Sequence, residues 1–386
     1  MKIDFYKVTL IITGIVLLFN FSARAQNEIK QDEFKPSGKI WGLTFGDFYT
    51  MLHADSLKRG NVQYSGIPEN MNAFEFRRVY LGYDYSISEK FSTEFLLAHE
   101  GQTLGDNATR TFYLKTANLR WKNIFKYNDL VIGQSATPSF PLLSEKIWGY
   151  RSVEKTIADM RKISGSNDLG ISLQGRFDEN ANYGYNLMIG NGTGPKIELD
   201  NYRKYYGDVY AKFLNQKLIV DLYADQENIK LIPKHHKSKT TVKIFIAYQK
   251  ENLTAGIEAF RQSYANSAIS FNPVTLQTDT SNAVLIGYSV FLKGFILKDK
   301  LNFFARYDLF NPDTKFNSDL IYSSSYNSQN IERFVTAGLD YTPHKNVHII
   351  PNIWYNGFYD RRNNLKGVIK KDYDLAARVT FYYIFK

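Results

Sequence analysis

Charged side chains that could act on solutes lie in one segment of the chain, residues 135–167, which reads SATPSFPLLSEKIWGYRSVEKTIADMRKISGSN. Six charged residues follow one another closely in its second half: Arg151, Glu154, Lys155, Asp159, Arg161 and Lys162. Cations and carboxylates mixed in this way attract ions and orient dipolar solutes, but they do not by themselves bind phosphate. The chemistry that this segment offers is therefore electrostatic.

The arrangement of cysteine, histidine and their usual partners in this chain gives little support to catalysis or metal binding. The chain has no cysteine, and its six histidines include no Ser/His or Asp/His constellation with a clear partner. The pair His235-His236 lacks a third metal ligand. The stretch GNGTG, residues 190–194, resembles a phosphate cradle but follows a strand pattern and opens no helix. We expect no enzyme activity, no cofactor and no metal.

The elements that must position the charged segment are strands. The chain ends in DYDLAARVTFYYIFK, in which apolar residues occupy every second position from residue 373. Sixteen stretches of about ten residues show this period, the first at 39–50 and the last at 372–385, and ten residues let a tilted strand cross a bilayer. We predict an all-β protein, a transmembrane antiparallel β-barrel of about 16 strands, with fourteen or eighteen also compatible with the pattern.

Connections between the strands alternate between long and short along the whole chain. An outer-membrane barrel has short turns on its periplasmic side and long loops outside, whereas a soluble β-sandwich has no reason to place all long loops at one end. The longest connection is residues 135–167, the third long loop. Sixteen strands leave an aqueous channel, so we expect this loop to form a pore constriction lined by the six charged residues.

The N-terminus has the pattern of an export signal. Lys2 and Lys7 precede an apolar run, and Ala23-Arg24-Ala25 forms an A-x-A cleavage site. We predict a signal peptide at residues 1–25, a periplasmic lead-in at 26–38 and the barrel at 39–386. These features predict the outer membrane of a Gram-negative bacterium, surrounded by outer-membrane lipid, and make nucleic acid an unlikely partner.

Strand alternation assigns further charges to the lumen. An arginine at the lipid midplane costs roughly 2–4 kcal/mol, so charged residues in strands should face water. Where FEFRRVYLGYDY changes phase at Arg77-Arg78, we expect a β-bulge or a strand that leaves the bilayer before Arg77. The residues predicted to face the lumen are Arg78, Arg120, Arg176, Asp221, Arg306, Asp308 and Arg378.

Three stretches carry a resemblance to a known family. AFEFRRVYLGYDYSISEKFSTEFLLA, NDLVIGQSATPSF and YRSVEK, between residues 73 and 155, are similar to the phosphate-selective porins, whose members have a Phe-x-Phe-Arg-Arg strand, a Gly-Gln strand end before a proline-containing third loop, and an aromatic residue with arginine inside that loop. Arg77, Arg78 and Arg151 match the family's arginines. The resemblance implies a homotrimeric outer-membrane porin, anion-preferring in some members.

The sequence thus predicts passive diffusion of small hydrophilic solutes or ions, with a possible anion preference. Two alternatives stay open: a solute-specific channel of the phosphate type, and a barrel that binds partners at the cell surface through its long loops. The opposed lumen charges make specificity for phosphate a weaker expectation than general diffusion.

Overall fold

The computed structural model describes residues 34–101, 108–231, 235–322, 329–362 and 370–386, and the side chains of 230–236 are not described. The expected signal peptide and the first part of the lead-in lie outside these ranges. The strands are β1 (Ser37–His53), β2 (Asn72–Ser86), β3 (Phe91–Glu100), β4 (Tyr113–Phe125), β5 (Asn128–Ala136), β6 (Asn167–Arg176), β7 (Tyr183–Gly190), β8 (Lys204–Phe213), β9 (Leu218–Leu231), β10 (His235–Lys250), β11 (Leu253–Asn272), β12 (Gln277–Leu297), β13 (Leu301–Asn311), β14 (Ile321–Tyr322), β15 (Asn330–His344), β16 (Val347–Asp360) and β17 (Lys371–Phe385).

Sixteen of these strands close into an antiparallel barrel. Each pairs with its neighbours in sequence, and β17 pairs back onto β1 over a register that begins at Gly42↔Phe385. The two-residue β14 stands outside the ring, since β13 pairs directly with β15 while β14 attaches to β11. Closure removes both sheet edges, which a bilayer requires because it offers no hydrogen bonds to an open edge. The predicted fold class is confirmed.

Side chains alternate between the two faces as the sequence predicts. In β6 the side chain of Ile171 is 54% exposed on the outside, and the next residue, Ser172, is fully buried on the inside. In β13, Tyr307 faces outward between Arg306 and Asp308, which are buried inside. The outer face is therefore apolar. The inner face carries the charges, many of which are buried and not in contact with water.

The phase change at Arg77-Arg78 is a β-bulge. Phe45 of β1 pairs with Arg78 and the next residue, Gly46, pairs with Phe76, which leaves Arg77 as the extra residue of β2. Both arginine side chains consequently point inward and are buried. Glycine at position 46 permits the close approach of β2, because a Cβ there would lie 2.1 Å from the Glu75 carbonyl oxygen.

Two of the expected long loops are largely strand. Residues 226–239 belong mostly to β9 and β10, and residues 262–282 mostly to β11 and β12. The ladders continue as far as Leu231↔His235 and Asn272↔Gln277. The alternation of apolar and polar residues stops before these ends, which is why the sequence pattern predicted loops there.

Helices are few in the described part of the chain. They are α1 (Ser144–Trp148) and α2 (Ile157–Met160), both in the segment between β5 and β6. No helix among the described residues has the length and apolar character needed to cross a membrane.

Candidate functional site

The segment between β5 and β6, residues 137–166 and here called loop 3, folds into the barrel interior. Its aromatic residue Trp148 contacts Phe291 and Phe304, with ring centroids 5.1 and 6.2 Å away. Both phenylalanines lie on the inner face, since Val290 and Leu292 on either side of Phe291 are exposed on the outer face. Loop 3 therefore packs against the inner wall.

Apolar residues attach loop 3 to the walls formed by β9–β17. Its buried apolar side chains are Phe140, Ile147, Trp148, Tyr150, Val153, Ile157, Ala158, Met160 and Ile163. They join clusters with inner-wall residues that include Ile219, Phe245, Phe260, Phe334 and Trp354. Burial of one such side chain stabilises the folded state by about 1.5–3 kcal/mol. Burial of these side chains thus contributes to holding loop 3 inside the barrel.

Three arginines from three wall strands bind the backbone of loop 3. Arg77 of β2 donates to the carbonyl oxygens of Ser152 and Val153, the latter at 3.0 Å. Arg378 of β17 donates to the same Val153 carbonyl at 2.6 Å. Arg306 of β13 donates to the carbonyl of Lys155. We call these three residues the arginine clamp, and it fixes the loop near the middle of its length.

A buried carboxylate, Asp47 of β1, holds two members of the clamp. Its side chain is fully buried, 2.5 Å from Nε of Arg77 and 3.7 Å from Nη1 of Arg378. Thr380 donates to it at 2.5 Å, and Tyr64 donates to it at 3.1 Å. Tyr64 belongs to residues 54–71, here called loop 1. Asp47 therefore connects loop 1, the barrel wall and, through the arginines, loop 3.

Glu154 of loop 3 is fixed by two tryptophans. The indole N–H of Trp354 donates to its carboxylate at 2.8 Å, and the indole N–H of Trp148 donates to its backbone carbonyl at 2.8 Å. Burial raises the pKa of Glu154, but the charges of Lys155, Arg378 and Arg77 and the tryptophan hydrogen bond outweigh burial and hold the pKa below its usual value. Glu154 is therefore a charged anchor at neutral pH.

A second ionic cluster lies on the other side of loop 3, near the wall of β2–β4. It consists of ion pairs within the loop and ion pairs within the wall. Arg151 pairs with Glu145 and with Asp159, the latter at 2.7 Å. On the wall, Glu100 accepts from Lys115 at 2.5 Å, and its carboxylate lies 3.3 Å from Arg78.

Cavities lie on both sides of loop 3. Toward the end of the barrel that carries the long loops, a cavity of about 230 Å³ is lined by five cations and three carboxylates. They are Arg77, Arg78, Arg151, Lys155 and Lys162, with Glu75, Glu100 and Glu154. Toward the short turns, a cavity of about 320 Å³ includes Tyr150 and Ser152 of the same loop. Loop 3 thus stands between two polar spaces.

The six residues predicted for the constriction differ in whether they line this cavity and in what they pair with. Arg151, Glu154, Lys155 and Lys162 line the cavity on the long-loop side. Asp159 pairs with Arg151. Arg161 does not line that cavity, because it pairs with Glu332 at 2.5 Å and donates to Asn356 at 3.0 Å.

The residues predicted to face the lumen are mostly members of pairs. Arg306 pairs with Asp308 at 2.5 Å, and Asp221 pairs with Lys243 at 3.1 Å. Arg120 pairs with Asp129 at 2.9 Å and donates to Gln174. The guanidinium of Arg176 lies 4.8 Å from the ring centre of Tyr127. Arg78 and Arg378 lie in the two ionic clusters described above. These cations are engaged with protein groups and are less available to solutes than the alternation suggested.

Asp47, Tyr64 and Trp354 are central to the site, and the sequence pattern did not predict them. Asp47 has a detectable signal, because it lies in the inward phase of β1 between Phe45 and Tyr49. Trp354 has a similar signal in the inward phase of β16, whereas Tyr64 has none, since the groups that it contacts are distant in sequence.

Comparison with known proteins places the fold. No family model matches the sequence, and no curated protein sequence matches it. Solved structures do match: the outer-membrane channel DcaP of Acinetobacter baumannii, with 12% identity over 92% of this chain and 99% of that chain and a TM-score of 0.64; the anion-selective porin from Comamonas acidovorans, with 11% identity over 91% and 100% and a TM-score of 0.58; and a trimer form of OmpT from Vibrio cholerae, with 10% identity over 91% and 99% and a TM-score of 0.53. The chain therefore has the fold of outer-membrane porins.

Proposed function

We propose that this protein is an outer-membrane porin through which small hydrophilic solutes or ions diffuse passively. The observation that carries the proposal is the position of loop 3: it lies inside the barrel, is anchored to the walls by apolar side chains and the arginine clamp, and has a charged cavity on its long-loop side. An anchored loop that narrows a lumen sets the size and charge of what passes, and needs no chemical step. We therefore infer a transport role and no catalytic one.

The membrane setting follows from the outer surface. Side chains such as Ile171, Leu187, Ile257 and Val290 are about half exposed on the outside of the strands, where lipid would cover them. We place the protein in the outer membrane of a Gram-negative bacterium, with the short turns in the periplasm and the long loops outside. A homotrimer is part of the proposal, and the trimer form of one structure with the same fold supports it.

A weak anion preference is the finer part of the proposal. Five cations and three carboxylates line the long-loop-side cavity, and Lys155 and Lys162 are the cations of this lining that make no ion pair among the described residues. Arg77, Arg78 and Arg151 pair with carboxylates of the protein, whereas Lys162 is exposed. Membership of the phosphate-selective porins is supported by the three family-like arginines in one cavity, but their engagement with protein groups favours general anion attraction over a phosphate site.

Single-channel recording in planar bilayers tests the proposal. The purified protein should give stable conductance steps that grow with salt concentration, and a salt gradient should give a reversal potential of the sign expected for anions. Replacing Lys155 and Lys162 by glutamine should reduce that potential. The matched control replaces Lys122 and Lys212, two cations that do not line this cavity. Protein that inserts and never conducts would refute the porin role, and block by low phosphate would favour the phosphate-specific channel.

A further inference from the structure

The cavity of about 320 Å³ between loop 3 and the short turns has a lining different from that of the long-loop side. Aromatic rings of Tyr150, Phe295 and Tyr382 stand beside polar groups of Asn302 and His348. A concave space that combines aromatic rings with fixed polar groups can hold a small molecule.

Two lysines line this cavity, and Lys293, the less exposed of the two, has no carboxylate partner in the described part of the chain. Lys293 follows Phe291 in the inward phase of β12, and no carboxylate among the described residues lies within ion-pair distance of its ammonium. The ammonium is 5.9 Å from the ring centre of Tyr150. It lies so close to Gly149 that a Cβ there would be 2.9 Å from Nζ. The ammonium of Lys293 is thus not neutralised by a carboxylate of the described residues.

The acidic group of the same wall is already engaged. Asp340 accepts from Nδ1 of His348 at 2.9 Å and from the hydroxyl of Tyr150 at 3.3 Å. Its hydrogen-bonding capacity is directed at the wall, and it offers no competing partner to Lys293. His348 also lines this cavity, with its Nδ1 bonded to Asp340. The other two charges, Lys250 and Glu251, are exposed neighbours of opposite sign at the turn between β10 and β11.

We infer that this cavity binds a small monocarboxylate with an aromatic or apolar body. One unpaired ammonium matches a single negative charge, and Asn302 is placed to donate a hydrogen bond to the carboxylate. A doubly charged phosphate would bring a second negative charge near Asp340, whereas Lys293 supplies one positive charge. The rings of Tyr150 and Tyr382 offer apolar surface to the body of the solute.

Isothermal titration of the detergent-purified full chain with benzoate tests the inference. Benzoate should bind, and neutral benzamide should bind much more weakly. Lys293→Gln should weaken benzoate binding about tenfold or more, since a hydrogen bond to a charged group contributes about 1.5–3 kcal/mol and 1.4 kcal/mol is tenfold in affinity. The control is Lys122→Gln, which removes the same charge from another cavity at this end of the barrel and should change affinity less than twofold.

Three results would overturn the inference: no benzoate binding, equal weakening by the two lysine substitutions, or tighter binding of inorganic phosphate than of benzoate. Asn302→Asp is a second test, because it adds a negative charge to the cavity while Lys293 stays in place, and it should also weaken benzoate binding. Melting of each variant in the same detergent shows whether it is folded. Because titration needs no conduction, failure here is distinguishable from failure of the porin proposal.

Discussion

Replacing Asp47 by asparagine removes the carboxylate that faces both Arg77 and Arg378, while the size and shape of the side chain stay nearly the same. The two arginines would remain buried, at 5% and 4% exposure, without that counter-charge. Removing one partner of a buried ion pair costs about 3–5 kcal/mol. The amide can still accept from Thr380 or Tyr64, so we expect the lower end, about 3 kcal/mol.

This loss of stability should affect the position of the loops and not the folding of the barrel. The strands are held by continuous backbone ladders on both sides of β1, whereas loop 3 is held at Ser152 and Val153 by the two arginines that Asp47 orients. A change of about 3 kcal/mol raises the population of released loop 3 roughly 100-fold relative to the seated one.

Limited trypsin digestion measures that population directly, because loop 3 contains Lys155, Arg161 and Lys162 as cleavage sites. Asp47→Asn should be cut in loop 3 much faster than the wild type, and its single-channel current should fluctuate more. The control is Asp129→Asn, whose partner Arg120 and own side chain are each about a third exposed, a pair worth about 0–1 kcal/mol.

Equal cutting rates in the wild type and Asp47→Asn would refute the reasoning, because they would mean that the arginines hold loop 3 without this carboxylate. Faster cutting in Asp129→Asn to the same degree would attribute the effect to general loss of lumen charge.

Three further outcomes follow from the loop's anchors. Trp354→Phe removes the hydrogen bond to Glu154 and should lower the unfolding free energy by about 1.5–3 kcal/mol, read from denaturation in detergent, with no change in ion preference. Lys162→Gln should reduce the reversal potential, whereas Arg161→Gln at the adjacent position should leave it unchanged and lower stability, because Arg161 is paired with Glu332; the opposite pattern would contradict the site. The pKa of Glu154 is lowered in the folded protein, so its contribution to stability is complete above the ordinary value of 4.5 and is lost only as pH falls through the lower folded value. Tryptophan fluorescence should therefore show loop 3 seated at pH 5 and released in stronger acid. Glu154→Gln should remove this dependence on pH.

The strands could be predicted because one face of each is apolar and the other largely polar, and this alternation is visible locally. The interior could not, because its contacts join residues far apart in sequence. The sequence does not show whether the side chain of Arg306 contacts a solute or, as the structure has it, donates to the carbonyl of Lys155. The sequence does carry a signal of the packing of loop 3. Phe304 lies in the inward phase between Asn302 and Arg306, and an aromatic residue on a polar inner wall indicates that an apolar group covers it. That cover is Trp148 of loop 3.

The arginine clamp binds loop 3 through carbonyl oxygens of the backbone, which every amino acid possesses. The side chain at Lys155 can therefore be exchanged without touching the bonds that seat the loop. Lys155, which lines the long-loop-side cavity, is in this way free to vary, whereas Glu154 and Arg161 hold the loop through their side chains and are not. Variants with new charges at Lys155 should keep the wild-type loop position, which makes this barrel a scaffold on which selectivity can be redesigned independently of architecture.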